Sequence, residues 1–153
     1  MLVPGFVEGH SHALEGSIWD HLYLGYFDKR DPDGTHWQGL QNIEAVQRRL
    51  AEHVNDEPRD GPLIAWGFDP IYFAGERIDK RLLDAVNAER PIVIMHASLH
   101  VMTVNSATIR LAALADKTLD GIVRDADGQP NGELQELPAM HLVFDALGFD
   151  IFD

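Results

Sequence analysis

Two short apolar runs, separated by helical patterns, constrain the fold of this chain most. Residues 63–68 follow Gly61 and Pro62 and have the length and composition of a buried strand. Residues 92–95 are uninterrupted and mostly β-branched, so they predict the clearest strand of the chain. A further strand is predicted over residues 101–104. Because strands and helices alternate along the chain, the sequence predicts an α/β fold whose strand order stays open.

The helices are predicted from apolar spacing and from capping residues. Apolar side chains recur at helical spacing in the first of them: Ile43, Val46, Leu50 and Val54. The predicted N-caps are Asn42 and either Asn105 or Ser106, and another helix is predicted to start at Asp79. A last helix has Pro138 near its first turn and Gly148 just past its end, which is the usual punctuation of a helix.

Segments rich in turn-forming residues predict the connections. Residues 125–128, Asp-Ala-Asp-Gly, predict a hairpin turn between short strands at residues 122–124 and 133–134. Residues 28–39 and 55–62 are rich in Pro, Gly and Asp and are predicted to be loops.

The charge and the composition exclude several classes of function. The 153 residues include 12 Lys and Arg but 25 Asp and Glu, and the net charge of −13 argues against nucleic acid and anionic membranes as partners. The absence of cysteine excludes disulfides, thiol catalysis and Cys-ligated zinc, so metal ligands must be His, Asp or Glu. Neither a membrane-spanning stretch nor a signal peptide is recognisable, and we therefore expect a cytoplasmic protein.

The segment with the most chemical information is residues 4–12, Pro-Gly-Phe-Val-Glu-Gly-His-Ser-His. Phe6 and Val7 predict a strand, in which residues two apart point to the same face. His10 and His12 would then direct two imidazoles at one point, as a divalent metal requires. Taken alone, this spacing is a weak signal, and it is more often a chance or structural pair than a metal site.

Residues 4–12 resemble the strand-1 signature of the amidohydrolase superfamily. Residues 100–106, His-Val-Met-Thr-Val-Asn-Ser, are similar to a pattern of its amidohydrolase-3 (YtcJ-like) branch. Residues 131–136, Asn-Gly-Glu-Leu-Gln-Glu, are similar to the Gly-x-Leu-x-Glu segment of that branch. Residues 66–69, Trp-Gly-Phe-Asp, resemble its Trp-Gly-Trp-Asp segment. The four segments follow the family's order, and together they extend over almost the whole chain.

The resemblance implies part of a metal-dependent-hydrolase (β/α)8 barrel. Residues 1–20 would form the first barrel strand, and residues 40–153 the inserted α/β subdomain that follows it, within a single α/β fragment. The barrel strands that carry the family's remaining ligands and its catalytic Asp have no counterpart here, so the chain alone is expected to be inactive. Apolar strands such as residues 92–95 would lack their cover, and we therefore expect self-association or a homo-oligomer.

The resemblance also implies an activity and a set of site residues. It implies hydrolysis of non-peptide C–N bonds in small amides, formamides or cyclic amides by a metal-activated water. The expected cofactor is a divalent metal, zinc, with one or two ions in the full-length protein. His10 and His12 would be metal ligands, and Glu136 a bridging or second ligand. His100 and Asn105 would bind substrate.

Other interpretations remain open for the chain and for these residues. The chain could be a non-catalytic module that binds a metal or small ligand, or an interaction domain with a vestigial His pair. Glu136 also suits a helix N-terminus, where the helix dipole favours negative charge. His100 could be satisfied within a half-buried strand, and Asn105 could cap the helix that follows it.

Overall fold

A computed structural model describes residues 17–56 and 61–148 of the chain. The strand predicted at Phe6 and Val7, together with His10 and His12, lies outside the described residues. The described elements are, in chain order, β1 (Leu22–Tyr23), β2 (Lys29–Arg30), β3 (His36–Trp37), α1 (Ile43–Asp56), β4 (Leu63–Phe68), α2 (Lys80–Val86), β5 (Ile92–His96), β6 (Val101–Val104), α3 (Ser106–Leu111), β7 (Ile122–Arg124), β8 (Pro130–Gln135) and α4 (Glu136–Leu147).

A mixed sheet organises the described part of the chain. Its six strands follow the order β1-β4-β5-β6-β8-β7, and β2 and β3 form a separate two-stranded hairpin. Strands β1, β4 and β5 are parallel, whereas the β5–β6, β6–β8 and β8–β7 pairs are antiparallel. The predicted α/β class is confirmed.

Two hydrophobic cores lie on opposite faces of the sheet because successive side chains of a strand alternate between its faces. One core combines β5 residues Ile92 and Ile94 with apolar residues of α1 and α2. The other combines Val93 and Met95 with apolar residues of α3 and α4. The helices therefore cover both faces of β5.

The expectation that residues 92–95 lack a cover is wrong. Every residue of this run is at most 1% exposed. The strand lies inside the sheet, between β4 and β6, and its backbone is paired on both sides. Burial on both faces explains the continuous apolar run, which needs no second molecule to cover it.

The predicted helix starts are confirmed by hydrogen bonds. Asn42 Oδ1 accepts from the amide of Ala45 at 2.8 Å, and the Asp79 carboxylate accepts from two amides at the start of α2. Of the two candidates for α3, Asn105 is the N-cap. Gly148 ends α4 with a φ of 61°, a left-handed conformation that glycine adopts without a Cβ clash.

The prediction of a loop over residues 28–39 is wrong in part, since this segment contains the β2–β3 hairpin. Asp31 organises it: its carboxylate accepts from the Thr35 amide at 2.8 Å and from Trp37 Nε1 at 3.1 Å. Local side-chain hydrogen bonds of this kind compensate for a segment with few apolar residues.

Gly132 lets strand β8 pass close to the backbone of Val104 and Lys80. Its φ is 103°, and a Cβ at this position would lie 2.4 Å from the carbonyl oxygen of Val104 and 3.0 Å from the amide of Lys80. Only glycine allows this close approach. Within residues 17–56 and 61–148, no helix is long and apolar enough to span a membrane.

Candidate functional site

Polar side chains meet at one edge of the sheet, where β4, β5 and β8 end and β6 begins. Strands β5 and β8 are both antiparallel to β6, so they run in the same direction and end at the same edge. His96 is the last residue of β5, His100 directly precedes β6, and Glu136 directly follows β8. In open α/β sheets, sites lie at the carboxyl ends of the parallel strands, which is where these residues are found.

His100 and Glu136 form a two-point contact. Nδ1 of His100 lies 3.1 Å from Oε2 of Glu136, and the Glu136 amide donates to the carbonyl oxygen of His100 at 2.8 Å. Both side chains are exposed, by 57% for His100 and 68% for Glu136. The two predicted site residues come together across the β6–β8 pair, although 36 residues separate them in the sequence.

Tight turns position both partners. The connection between β5 and β6 is short, and Leu99 within it has a φ of 59° and packs against one core. On the other side, β8 passes directly into α4 without a loop, and Glu136 has a φ of 63° at this junction. A left-handed conformation is costly for a residue with a Cβ, and such residues cluster at functional sites.

The chemistry of this donor set fits part of a metal site. An imidazole nitrogen and a carboxylate oxygen are both ligands of Zn²⁺ and related divalent ions. Within the described ranges, however, no group of three or more His, Asp or Glu side chains could hold an ion together. Among the described residues, His100 and Glu136 place one imidazole and one carboxylate together at this edge, and His10 and His12 lie outside these residues.

His96 lies at the same edge but is buried. Its Nε2 is 2.8 Å from Oγ1 of Thr103, and the residue is 5% exposed. Burial lowers the pKa of His96 to about 4; the charges of Glu133 and Asp69 oppose this shift and the charge of Arg77 adds to it. The imidazole is therefore neutral at pH 7, and it serves the packing of this face of the sheet.

Glu133 is also buried, and it forms a hydrogen-bond network of its own. Its carboxylate accepts from Arg77 Nη1 at 2.6 Å and from Gln135 Nε2 at 2.7 Å. Burial alone would raise the pKa of Glu133, but the hydrogen bonds from Gln135 and Arg77 and the charges of Arg77 and His96 outweigh it, so the pKa is lowered. Sequence reasoning missed this network, although the alternation along β8 places Glu133 and Leu134 on opposite faces.

Asn105 lies at the opposite end of β6 from His100. Its Oδ1 accepts from the amide of Ile92 at 3.1 Å and from the amide and hydroxyl of Thr108 at 3.0 Å each. Its Nδ2 donates to the carbonyl oxygens of Asn87 and Arg90, both at 2.8 Å. The capping interpretation is the one that the structure shows, and the structure does not bring Asn105 to the His100–Glu136 pair.

In the Trp66–Asp69 segment, Trp66 packs against other aromatic rings and Asp69 caps a turn. The rings of Trp19 and Tyr23 lie 4.9 Å and 5.0 Å from the ring of Trp66, centroid to centroid. The ammonium of Lys29 lies 5.2 Å above the same ring, within the range of a cation–π interaction. Asp69 accepts from the amide of Ile71 at 3.1 Å and caps the turn after β4.

The fold defined by this sheet has counterparts among solved structures. An uncharacterized metal-dependent hydrolase from Pyrococcus horikoshii OT3 superposes with a TM-score of 0.61 at 18% identity, over 91% of this chain and 23% of that one. A similar hydrolase from Pyrococcus furiosus gives a TM-score of 0.59, over 93% of this chain and 25% of that one. At this identity the likeness establishes the fold alone.

The sequence establishes the family. The model of the amidohydrolase family (Amidohydro_3) matches residues 1–150, and the chain belongs to this family. The "Exoenzymes regulatory protein AepA" of Pectobacterium carotovorum subsp. carotovorum is 27% identical over 97% of this chain and 32% of its own length. The "Putative amidohydrolase YtcJ" of Bacillus subtilis is 27% identical over 88% of this chain and 24% of its own length. The chain thus spans about a quarter to a third of these relatives.

Proposed function

We propose that this chain contributes part of the metal site of an amidohydrolase that hydrolyses non-peptide C–N bonds. The observation that carries the proposal is the match to the amidohydrolase family over residues 1–150. The substrate class is small amides, formamides or cyclic amides in the cytoplasm. The net charge of −13 supports a small-molecule substrate in preference to nucleic acid or an anionic membrane.

His10, His12 and Glu136 are the proposed metal ligands, and zinc is the expected ion. A divalent metal, when bound, supplies an activated water and polarises the carbonyl of the substrate. The position of Glu136 at the carboxyl edge of the sheet, with a left-handed backbone and a histidine partner, supports its place in this set. His100 lies at the same edge, beside the carboxylate, where substrate would approach.

We also propose that the chain has no turnover by itself. It spans 32% and 24% of the two relatives described above. Two or three ligands leave several positions of a metal open, and general acid–base catalysis, typically ~10²–10⁴-fold, needs a further positioned group.

A non-catalytic role is the second candidate, and one observation favours it. The relative from Pectobacterium is named a regulatory protein, not a hydrolase. On this hypothesis the chain binds a metal or small ligand, or a partner, and the complete family member also lacks hydrolase activity.

The test is a hydrolase assay on two proteins, this chain and a longer family member that includes it. Each is loaded with Zn²⁺ or Mn²⁺ and offered N-formyl amines, hydantoins and N-acyl amino acids. We expect turnover by the longer protein only, and its loss in the His10→Ala/His12→Ala variant. Turnover by this chain that disappears in the same variant would contradict the claim of inactivity, and an inactive longer protein would favour the non-catalytic role.

A further inference from the structure

We infer that His100 is a positioning residue that holds the carboxylate of Glu136 for a divalent cation. This inference rests on the proposed function, in which Glu136 is a metal ligand. It assigns His100 a role through Glu136, in place of a direct contact with substrate.

The first support is the geometry of the contact. His100 holds Glu136 at two points, through the 3.1 Å side-chain contact and the 2.8 Å backbone hydrogen bond. The side-chain contact uses only Oε2 of the carboxylate, and within the described residues no donor engages Oε1. A carboxylate held by one oxygen and open at the other has the arrangement of a metal ligand with an outer-shell partner.

The second support is the backbone of Glu136. Its φ of 63° is unfavourable for glutamate, and helix α4 gains no capping hydrogen bond from the side chain of Gln135 before it. Glycine would fit the same conformation without a clash. The glutamate side chain at this position is therefore not explained by the stability of the junction, whereas its exposed position at the carboxyl edge of the sheet suits a ligand.

The third support is that the His100 and Glu136 side chains are both exposed, so that stability does not explain their contact. At 57% and 68% exposure, the His100–Glu136 pair gains little stability, because ion pairs in water contribute little. The chain offers a matched comparison: His36 and Asp28 form a pair at 3.2 Å with exposures of 49% and 63%. That pair belongs to the β2–β3 hairpin, which is separate from the six-stranded sheet, and serves as the control.

The experiment is calorimetric titration of the full chain with Zn²⁺ alone. We expect His100→Ala to weaken Zn²⁺ binding by about 10- to 100-fold, the usual effect of losing an outer-shell partner. His100→Asn keeps a donor near the position of Nδ1 and should restore most of the affinity. His36→Ala should leave the affinity within about 2-fold, and thermal melts should show that each variant remains folded.

A double variant separates positioning from direct ligation. If His100 acts through Glu136, His100→Ala/Glu136→Gln binds Zn²⁺ no more weakly than Glu136→Gln alone, since the two losses are not independent. Losses that multiply would overturn the inference, because His100 would then contact the metal itself. Unchanged affinity in His100→Ala, with weaker binding in Glu136→Gln, would overturn it and leave the proposed function intact. Equal Zn²⁺ uptake by the wild type, His10→Ala/His12→Ala and Glu136→Gln would defeat the proposed function and this inference with it.

Discussion

Two combinations of a histidine and a glutamate, His96 with Glu133 and His100 with Glu136, lie towards the same edge of the sheet. They differ in burial and in backbone conformation. His96 and Glu133 are both buried, and each has side-chain hydrogen-bond partners in the chain: Thr103 for His96, and Arg77 and Gln135 for Glu133. His100 and Glu136 are exposed, and Glu136 has a strained backbone. The first set is explained by packing within this chain, whereas the second is not.

The difference shows how burial separates structural from functional polar residues. A buried polar group is costly unless it is hydrogen-bonded, so its partners account for its presence. An exposed pair with a left-handed glutamate lacks that explanation, since its hydrogen bond competes with water. We therefore expect substitutions of buried polar residues to reduce the free energy of unfolding. Substitutions of His100 or Glu136 should instead change ligand binding.

The largest expected effect belongs to Asn105, a fully buried polar side chain with five hydrogen bonds. Asn105→Ala removes the partners of two buried amides and two carbonyl oxygens. We expect the free energy of unfolding to fall by roughly 3–5 kcal/mol, measured by urea denaturation.

The matched control is Asn42→Ala, which removes an exposed N-cap of α1 and should cost about 1 kcal/mol. Similar losses for the two variants would contradict the claim that burial makes Asn105 structural.

The next effect is a pH dependence from the buried histidine. Folding holds the pKa of His96 at about 4, below its ordinary 6.5, so the unfolded chain takes up a proton first as the pH falls. Stability should therefore drop between pH 6.5 and pH 4, in total by on the order of 3 kcal/mol. Unfolding by urea at several pH values measures this loss.

His96→Gln keeps a hydrogen-bonding side chain near Thr103 but does not titrate. The pKa of Glu133 is also lowered, so its contribution is lost as the pH falls through its folded pKa, below the ordinary 4.5. The difference between the two proteins above pH 4.5 therefore reports His96. Equal slopes there would show that His96 is not held neutral by the fold.

At the exposed His100–Glu136 pair we expect a smaller effect, and a gain of stability in place of a loss. Glu136→Gly relieves a φ of 63° and should raise the free energy of unfolding by about 1 kcal/mol. Glu44→Gly, in the first turn of α1, should instead lower it by up to about 1 kcal/mol. A loss of stability in Glu136→Gly would show that the glutamate is kept for the fold.

The smallest expected effect is self-association of the chain. We still propose it, but through an exposed apolar surface and not through residues 92–95, which are buried. Phe27 and Tyr72 are 54% and 47% exposed with ring centroids 4.9 Å apart, and Ile71 beside them is 74% exposed. We expect weak self-association through this apolar surface, stronger at high salt because the charge of −13 is then screened.

Sedimentation at two ionic strengths measures this association. Tyr72→Ser should weaken it, and Leu119→Ser, an exposed residue elsewhere, should not. A monomer at every protein concentration would contradict the proposal.

The local structure could be predicted well because local rules determine it. Asn42 and Asp79 cap the helices that their patterns predicted, and residues 92–95 form the strand that β-branching indicated. The strand order could not be predicted, since pairing depends on contacts between segments distant in sequence. For the same reason the uncovered face expected at residues 92–95 is in fact the centre of the sheet.

The candidate site was predicted in part. His100 and Glu136 were singled out from separate motifs, and the structure places them in contact. The positive φ of Glu136 and the burial of His96 had no signal in the sequence, because both depend on how β5, β6 and β8 end together. The role of Asn105 was left between a cap and a ligand contact, and only the five hydrogen bonds around it favour the cap.

The most direct test of the central claim is X-ray absorption at the zinc edge of the Zn²⁺-loaded chain. We predict imidazole donors at about 2.0–2.1 Å and carboxylate donors at about 2.0–2.2 Å, with the imidazole signal lost in His10→Ala/His12→Ala and the oxygen contribution reduced in Glu136→Gln. The same spectrum in wild type and both variants would contradict a metal site built from these residues.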